Sequence, residues 1–398
     1  MTRLSYNTQR PPIIVGFDDL CTRQWIAGCN YLKNLFIALR SLDSRPEIVL
    51  FGPKGNKTQR HLHQYVDIEL LMPVPIWFLR RALYSLQRNR GLSVQIDAIE
   101  SMFLRKKGIQ VLFGISDRGP HFKLPLALWI PDFQHRHFPE MFSQQEIERR
   151  DRNLRQAARH ARAIILSSQS AFKDLEAFAP EAVHKTSVLK FVAQLPDNAL
   201  SFEPKVVSNH YNLPEKFFYL PNQFWKHKNH ELVVKALAIA KQSCPEIVIV
   251  CSGNTNDYRD PGYFPRLQQL ISDSTVQENM IVLGMITQEH IIPLMRQALA
   301  LVQPSLFEGW STTVEEAKSI GKRIIISDIP VHKEQNPPAA MYFDPHDPQA
   351  LAACLIKIYR EVEPGPDTIL EAQAQIALPN RTHAFGTKFV EIVEKVVN

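Results

Sequence analysis

The chain has 398 residues, of which 45% are hydrophobic and 22% charged, values typical of a globular protein with room for two domains. No apolar run approaches the roughly 20 residues of a membrane-spanning helix, and the polar amino terminus lacks a signal-peptide core, which predicts a cytoplasmic protein. The net charge of +6 is uneven: residues 1–200 hold 28 Lys and Arg against 18 acids (+10), and residues 201–398 hold 18 against 22 (−4). The basic half indicates either an anionic partner, such as the inner face of a membrane, or an ordinary soluble surface; no nucleic-acid-binding motif accompanies it.

Short apolar segments rich in β-branched residues alternate with helical patterns along the whole chain. This alternation is typical of α/β domains with doubly wound parallel sheets. The predicted strands cover residues 13–17, 48–51, 111–114, 127–130, 163–167 and 186–191 in the first half, and residues 217–220, 247–251, 280–283, 300–303, 323–327 and 341–343 in the second. Six strands in each half predict two similar domains.

A polar segment with two prolines, residues 195–207, is predicted to link the domains. We therefore predict an N-terminal domain at residues 1–203 and a C-terminal domain at residues 204–379. A turn at residues 378–380 is expected before a last helix, which begins near Thr382 and occupies the remaining residues up to 398.

The cysteines show no pairing pattern. Their number is odd and none forms a Cys-x-x-Cys pair, which predicts reduced thiols in a reducing compartment. They are Cys21, Cys29, Cys244, Cys251 and Cys354.

Three features of the first half are candidates for ligand contact. Gly28 follows the first strand, where a small residue allows either close approach to a ligand or close helix packing. Residues 72–90 combine aromatic and aliphatic side chains with four arginines. They fit either a helix resting on an anionic membrane or a core helix with a basic edge. After the strand at 127–130, Asp132 and His135 are polar candidates for a cleft, although His135 also fits an ordinary structural histidine.

The second half opens with a strand followed by a polar loop. Asn222 and Gln223 supply amide donors, and Lys226 and Lys228 follow within the next five residues. A lysine ammonium is a suitable point charge for a diphosphate. The loop therefore predicts contact with an anionic ligand, through Lys228 with or without Lys226.

A strand at 300–303, a short turn and a helix from about Thr313 form the most informative segment. Glu308 lies before the turn and Glu316 within the helix, which Gly321 ends. Free N–H groups at the helix start favour a phosphate, while the two carboxylates would accept hydrogen bonds from sugar hydroxyls. This combination predicts a sugar nucleotide. The turn residues are Gly309, Trp310, Ser311 and Thr312.

A structural reading of the same carboxylates is available. Thr312 with Glu315, and Thr313 with Glu316, each have the spacing of a capping box, in which the third residue of the helix bonds back to the cap. The two interpretations predict different partners for Glu316.

The segment from Glu308 to Glu316 resembles the Glu-x7-Glu motif of the family-four retaining glycosyltransferases, and the strand at 323–327 with Asp328-Ile329-Pro330 extends the likeness. The resemblance implies the GT-B fold, in which two Rossmann-like domains face each other across a cleft and the last helix crosses back to the first domain. It implies that the C-terminal domain holds a nucleoside-diphosphate sugar. Glu308 would contact the sugar and Glu316 the ribose.

The same resemblance assigns further roles. Lys228 would pair with the diphosphate, but the family's arginine is missing, since Asn222 or Gln223 occupies its place. Pro131 replaces the family's cleft histidine beside Asp132. The implied catalytic residues are Glu308, Lys228, Asp132 and His135, and the implied donor-binding residues are Gly28, Asn222, Gln223, Lys228, Met285, Ile286, Glu308, Gly309, Trp310, Ser311, Thr312, Thr313 and Glu316.

The chemistry implied is transfer of a sugar to an acceptor hydroxyl with retention, in the synthesis of a polysaccharide, glycolipid or glycoconjugate. The chain has no Asp-x-Asp motif, so no metal and no cofactor is expected, and the partners are the nucleotide sugar and a glycan or lipid-linked acceptor. The alternatives are a non-catalytic sugar or nucleotide binder and a sugar-nucleotide epimerase. A dinucleotide oxidoreductase is disfavoured because Gly-x-Gly-x-x-Gly is absent.

Overall fold

The computed structural model describes residues 11–21, 26–52, 62–71, 96–196 and 199–398. The strands are β1 (Ile14–Asp18), β2 (Glu47–Gly52), β3 (Ile68–Leu71), β4 (Val111–Gly114), β5 (Leu126–Ile130), β6 (Ala163–Leu166), β7 (Thr186–Val188), β8 (Phe218–Leu220), β9 (Ile249–Cys251), β10 (Met280–Val282), β11 (Leu301–Gln303), β12 (Ile324–Ser327) and β13 (Ala340–Phe343).

The helices of the described residues alternate with these strands. They are α1 (Ile26–Arg40), α2 (Ile96–Lys106), α3 (Gln134–His137), α4 (Gln144–His160), α5 (Gln169–Phe178), α6 (Pro204–His210), α7 (His230–Ala240), α8 (Tyr263–Asp273), α9 (Gln288–Gln297), α10 (Thr312–Ile320), α11 (Pro330–Gln335), α12 (Pro348–Glu361) and α13 (Thr368–Val397).

The strands form two parallel sheets. The N-terminal sheet has the order β3-β2-β1-β4-β5-β6-β7, and the C-terminal sheet the order β10-β9-β8-β11-β12-β13. In each sheet the strand order reverses once, between β1 and β4 and between β8 and β11. Ligands of open α/β sheets bind outside the carboxyl ends of the strands at such a reversal. We call these two places the N-terminal crevice and the C-terminal crevice.

The prediction of two parallel-sheet domains is confirmed, and all twelve predicted strands are present; β4 has the predicted bounds, and the others differ by one to three residues at one or both ends. The sequence prediction missed β3. This strand pairs with β2 at the edge of its sheet, and three of its four side chains are exposed, so it lacks the apolar run that marks a buried strand.

Two predicted boundaries are wrong. Residues 204–207 of the predicted linker belong to α6, which starts with Pro204 at its first position, where a missing N–H costs nothing. The turn predicted at residues 378–380 is absent because α13 runs through Pro379. The division of the chain at residue 203 stays a prediction.

Helix α13 packs on the N-terminal sheet and its helix α1. Phe385, Phe389 and Val393 are buried in the same hydrophobic cluster as Phe17 of β1, and the Phe389 and Phe17 rings are 5.6 Å apart. Burial of several large apolar side chains outweighs the hydrogen bond that Pro379 removes from the helix. The helix therefore joins the two halves of the molecule.

The prediction of reduced thiols is wrong for two of the five cysteines. Cys21 and Cys29 form a disulfide, with their Cα atoms 4.5 Å apart, while Cys244, Cys251 and Cys354 are free. The bond links the end of β1 to the start of α1. Sequence spacing alone does not show that these two backbones come within bonding distance.

Residues 72–90, for which the sequence allows either a helix resting on an anionic membrane or a core helix with a basic edge, lie outside the described residues. Among the helices that the structure describes, none combines the length and the apolar composition required to cross a bilayer.

Candidate active site

The C-terminal crevice contains the start of α10. Ser311 caps this helix, and its Oγ accepts a hydrogen bond from the N–H of Val314 at 3.4 Å. Both predicted capping boxes are therefore wrong, since Thr312 and Thr313 already lie inside the helix. Their N–H groups have no acceptor within the helix and lie at the positive end of its dipole.

Lys228 and Glu308 meet at this crevice. Lys228 Nζ lies 2.5 Å from Glu308 Oε1, and the two side chains are 13% and 10% exposed. The backbone holds the two loops together, because the N–H of Leu306 donates to the carbonyl of His227 at 2.8 Å. A cation and a carboxylate that sequence reasoning placed in one site are thus in direct contact.

A chain of amide hydrogen bonds lies beneath this pair. Asn222 Nδ2 donates to Gln303 Oε1 at 2.7 Å, and Gln303 Nε2 donates to Glu308 Oε1 at 2.8 Å. Thr313 Oγ1 lies 3.5 Å from Asn222 Oδ1. Sequence reasoning missed Gln303; the available signal was a buried amide at the last position of an otherwise apolar strand. The network fixes the direction of the Glu308 carboxylate.

Asn229 fixes the loop that carries Lys228. It adopts a left-handed backbone conformation, with φ of 60°, at the start of α7. Its amide Nδ2 donates to the carbonyls of Pro304 and Pro345, at 3.1 and 2.9 Å. Asparagine tolerates the left-handed conformation better than most residues. It therefore suits this position both for its backbone and for the two hydrogen bonds of its side chain.

Glu316 lies in the second turn of α10 and forms no ion pair with any residue that the structure describes. Burial raises the pKa of its carboxyl group to about 7. Hydrogen bonds from hydroxyl groups stabilise a carboxylate that has lost its water and has no ion-pair partner. Glu316 is therefore suited to accept hydrogen bonds from the hydroxyls of a ligand.

Glu315, its neighbour, has a structural role instead. This carboxylate is 1% exposed and pairs with Arg381 of α13 and with Lys318 at 3.2 Å. Gln335 Nε2 also donates to it at 3.2 Å. Glu315 therefore ties α10 to α13 and is not available to a ligand.

The loop after β5 of the N-terminal sheet faces the same site. A Cβ atom on Gly309 would lie 2.5 Å from the carbonyl oxygen of Pro131 and 2.9 Å from the Cβ of Asp132, so only glycine fits there. Burial raises the pKa of Asp132, and the charge of Glu308 acts in the same direction, while the N–H of Gln134 and the charge of Arg150 oppose them. Asp132 and Glu308 thus lie on opposite sides of one narrow cleft.

His135 makes the contacts of a structural histidine, the alternative that the sequence left open, and its role near a reacting sugar stays a prediction. Its side chain is 2% exposed, and its Nε2 lies 3.0 Å from Asp151 Oδ1 of α4. Desolvation lowers the pKa of its ring despite the neighbouring carboxylate. The histidine is a structural contact within the N-terminal half, because α3 turns its side chain onto α4.

The side chain of Trp310 packs against the N-terminal half. Its indole N–H donates to the carbonyl of Phe191 at 3.1 Å, and the ring belongs to the hydrophobic cluster of the N-terminal sheet. Gly28 is buried in the first turn of α1, which begins at Ile26, and does not lie in the preceding turn. For both residues the structure favours packing over ligand contact by the side chain.

Four other predicted residues lie around the crevice. Gln223 Oε1 accepts from the N–H of Asn254 at 2.7 Å, which orders the loop after β8. Met285, 62% exposed, and the half-buried Ile286 follow β10. Lys226 lies 3.7 Å from Glu140 across the cleft and is half exposed. None of these contacts tests a role in donor binding, so those roles stay predictions.

A cavity of about 300 Å³ lies elsewhere, lined by Lys322, Asp367 and neighbouring residues where α12 meets α13. It contains no predicted site residue.

Comparison with known proteins gives independent information on the C-terminal half. Residues 203–375 match the family described as glycosyl transferases group 1. A curated relative, the O-antigen chain mannosyltransferase RfbU of Salmonella typhimurium, is 29% identical over 155 residues. That alignment spans 39% of this chain and 40% of RfbU, so it covers well under half of either protein.

Solved structures resemble the chain over nearly its full length. Anabaena HepE in complex with UDP and glucose has a TM-score of 0.69 and 17% identity, covering 96% of this chain and 99% of that one. Sucrose-phosphate synthase from Thermosynechococcus elongatus has a TM-score of 0.67 and 16% identity with the same coverage. At these identities the likeness concerns the fold, and the predicted GT-B fold is confirmed.

Proposed function

We propose that this chain, whose residues 203–375 form a glycosyl transferases group 1 domain within a GT-B fold, transfers a sugar from a nucleoside-diphosphate sugar to an acceptor hydroxyl. The observation that carries the proposal is the contact between Lys228 and Glu308 beside the start of α10. The lysine cation and the helix N-terminus suit the negatively charged diphosphate of such a donor, and the carboxylate suits the hydroxyls of its sugar. HepE, which shares the fold, has been crystallised with UDP and glucose.

Each group at the crevice has a task in this proposal. Lys228 and the free N–H groups of Thr312 and Thr313 stabilise the charge that develops on the departing diphosphate. Glu308, oriented by Gln303, accepts hydrogen bonds from the hydroxyls of the donor sugar. Since these donors and acceptors are already in place, little reorganisation is needed during the reaction.

Glu316 and Asp132 complete the proposed site. Glu316 accepts hydrogen bonds from the ribose hydroxyls of the nucleotide, which gives its desolvated carboxylate the partners that it lacks. Asp132 reaches the site from the N-terminal half and faces the sugar and the acceptor. The acceptor therefore approaches from the side of the N-terminal sheet.

The reaction is proposed to retain the anomeric configuration and to need no metal. The leaving diphosphate removes the proton of the acceptor hydroxyl on the same face of the sugar, so no protein nucleophile is required. Lys228 supplies positive charge at the leaving group. Activity that survives chelation by EDTA would support this part of the proposal, and activity restored only by added Mg²⁺ or Mn²⁺ would overturn it.

For the acceptor, the proposal is a glycan or a lipid-linked glycan in polysaccharide synthesis. It is supported by the partial likeness to RfbU, an O-antigen chain mannosyltransferase. The 39% of the chain that aligns with RfbU does not define which sugar is transferred.

A thermal-shift screen tests the proposal. We expect one of UDP, GDP, ADP and dTDP, with its sugar conjugates, to raise the unfolding temperature, because a ligand that binds only the folded state stabilises it. That nucleotide sugar should then be hydrolysed slowly by the protein alone. Absence of any hydrolysis or transfer would indicate a binder, and release of an epimeric nucleotide sugar would indicate an epimerase; either result overturns the proposal.

A further inference from the structure

Arg259, in the loop after β9, connects the two halves of the molecule across the cleft. Its Nη1 donates to Gln134 Oε1 of α3 at 3.0 Å. Its guanidinium also lies 4.8 Å from the ring of Trp225 and 6.0 Å from the ring of Phe142. Trp225 belongs to the donor-side loop and Phe142 to the N-terminal half, so the guanidinium contacts both sides at once.

The position of this guanidinium is fixed from within its own loop. Arg259 Nε and Nη2 donate to the two oxygens of Asp257, at 2.9 and 3.0 Å. The side chains of Asp257 and Arg259 are 0% and 7% exposed. A two-point contact of this kind holds the planar guanidinium in one orientation. The contact with Gln134 therefore costs little further conformational freedom of the Arg259 side chain.

Arg259 is connected to both sets of site residues. On the donor side, Phe224 N donates to Asn254 O at 3.0 Å and Asn254 N to Gln223 Oε1 at 2.7 Å, which ties the Arg259 loop to the loop of Lys228. On the other side, the N–H of Gln134 donates to Asp132 Oδ1 at 2.9 Å. Arg259 therefore binds the residue whose backbone orients Asp132.

Two ways of using this arginine follow from its position. As a diphosphate ligand it would replace the arginine missing at residues 222–223, but Asp257 already neutralises its charge and occupies two of its donors. As an interdomain contact it donates from Nη1 to Gln134, while Nε and Nη2 stay on Asp257. The contacts favour the second use.

We propose that Arg259 is a positioning residue, a latch that holds the loop of Asp132 against the donor site in the closed arrangement of the two halves. The proposal rests on the proposed function in one respect, since the catalytic effect requires a glycosyl transfer to measure. The latch itself is a property of the structure and can be tested without a substrate.

The first test uses Gln134→Leu, which removes the acceptor oxygen but keeps the backbone N–H that holds Asp132 and leaves the Arg259–Asp257 pair intact. We expect kcat to fall about tenfold, as for loss of one hydrogen bond to a charged group. The Kd for UDP or GDP, by calorimetry, should stay within about twofold because the donor ligands are untouched. Gln134→Glu keeps an acceptor and should retain wild-type kcat.

Two further variants sharpen the test. Arg259→Lys keeps the charge but cannot hold Asp257 and Gln134 at once, so it should lose kcat as Gln134→Leu does. Glu140→Gln is the matched control: it removes another cross-cleft contact, with Lys226 at 3.7 Å, in which both side chains are about half exposed. Exposed ion pairs contribute little, so kcat should be unchanged.

Small-angle X-ray scattering provides the substrate-free measurement. Without nucleotide, Gln134→Leu should have a larger radius of gyration than the wild type and than Glu140→Gln. Equal radii, an unchanged kcat, or a loss of nucleotide affinity as large as the loss of kcat would each overturn the latch. If the wild type transfers no sugar, the proposed function fails. The scattering comparison needs no substrate and still shows whether Arg259 and Gln134 hold the two halves together.

Discussion

The two crevices of this molecule have the same topology and different chemistry. In the C-terminal crevice, Lys228 and Glu308 meet over a chain of neutral amides, and Glu316 has no ion-pair partner among the described residues. In the N-terminal crevice, Arg118 pairs with both oxygens of Asp18 and, at 2.8 Å, with Glu100, and its side chain is only 4% exposed.

The two crevices therefore share a strand order but differ in which of their charged groups are already paired within the protein. In the N-terminal crevice, Arg118 already pairs with Asp18 and Glu100 of the protein itself. A buried ion pair of this kind stabilises the fold only while both partners remain. The C-terminal crevice instead leaves a carboxylate and helix N–H groups available for a ligand. Mutations in the two crevices should therefore affect different properties.

The largest expected effect is on catalysis at the C-terminal crevice. Glu308→Gln removes the charge proposed to accept hydrogen bonds from the sugar hydroxyls, and transfer should fall about 10³-fold, at the upper end of losses for one preorganised electrostatic contact. The unfolding temperature should also fall, because this carboxylate is only 10% exposed and its loss leaves Lys228 without an ion-pair partner; transfer is therefore compared at a temperature where the variant is fully folded. Glu315→Gln is the control: it should lower the unfolding temperature by weakening the buried contact with Arg381. Wild-type turnover in Glu308→Gln would remove this residue from the site.

In the N-terminal crevice the expected effect is on stability. Arg118→Met leaves carboxylates buried without their cation, and the free energy of unfolding in urea should fall by about 3–5 kcal/mol. Arg40→Met, which breaks a contact with Asp67 from a side chain 41% exposed, should change it by less than about 1 kcal/mol. Loss of nucleotide affinity without loss of stability in Arg118→Met would show that this crevice also binds the donor.

A smaller effect is expected on nucleotide affinity. Lys228→Ala removes the cation proposed to contact the diphosphate, which should weaken binding by about 1.5–3 kcal/mol, or roughly 10- to 150-fold. Calorimetry with UDP and GDP measures this loss, and Lys333→Ala, an exposed lysine of α11 paired with Asp328, is a control without expected effect. Unchanged affinity in Lys228→Ala would contradict the assignment.

The pH dependence of binding gives the smallest effect. Because the pKa of Glu316 is raised to about 7, the free folded protein holds a proton there that the unfolded chain has lost, so this group lowers stability as pH rises from about 4 to 7. Hydrogen bonds from the ribose hydroxyls, as proposed, would favour the charged form of Glu316. Nucleotide affinity should therefore increase between pH 6 and 8, and binding should release a proton from Glu316. Glu316→Gln should abolish the release, measured by calorimetry in buffers of different ionisation enthalpy; release that persists would assign it to another group.

How far the sequence predicted this structure depends on the range of the interactions. The alternation of apolar strands and helices is local, and it located all six strands of the C-terminal sheet. The proximity of Lys228 and Glu308 was predictable because both follow strands whose carboxyl ends meet at one edge of a parallel sheet. The edge strand β3 was missed because its side chains are mostly exposed.

Contacts between distant parts of the chain were not predictable. Arg259 reaches Gln134 over 125 residues, and nothing near either residue marks the pairing. From the sequence, His135 fits either a cleft residue or a structural histidine. Its contact with Asp151 of α4 depends on how the two helices pack. The burial of Trp310 against Phe191 likewise depends on how the two halves meet. Local motifs identified the charged residues of the proposed donor site. The residues that pack around them are set by tertiary contacts, which the local sequence does not show.

The most direct test of the central claim is a crystal structure with the nucleoside diphosphate that the thermal-shift screen selects. The account predicts the diphosphate at the start of α10 beside Lys228, with the ribose hydroxyls on Glu316. A nucleotide bound in the N-terminal crevice beside Arg118, or one in the C-terminal half that touches neither Lys228 nor Glu316, would contradict it.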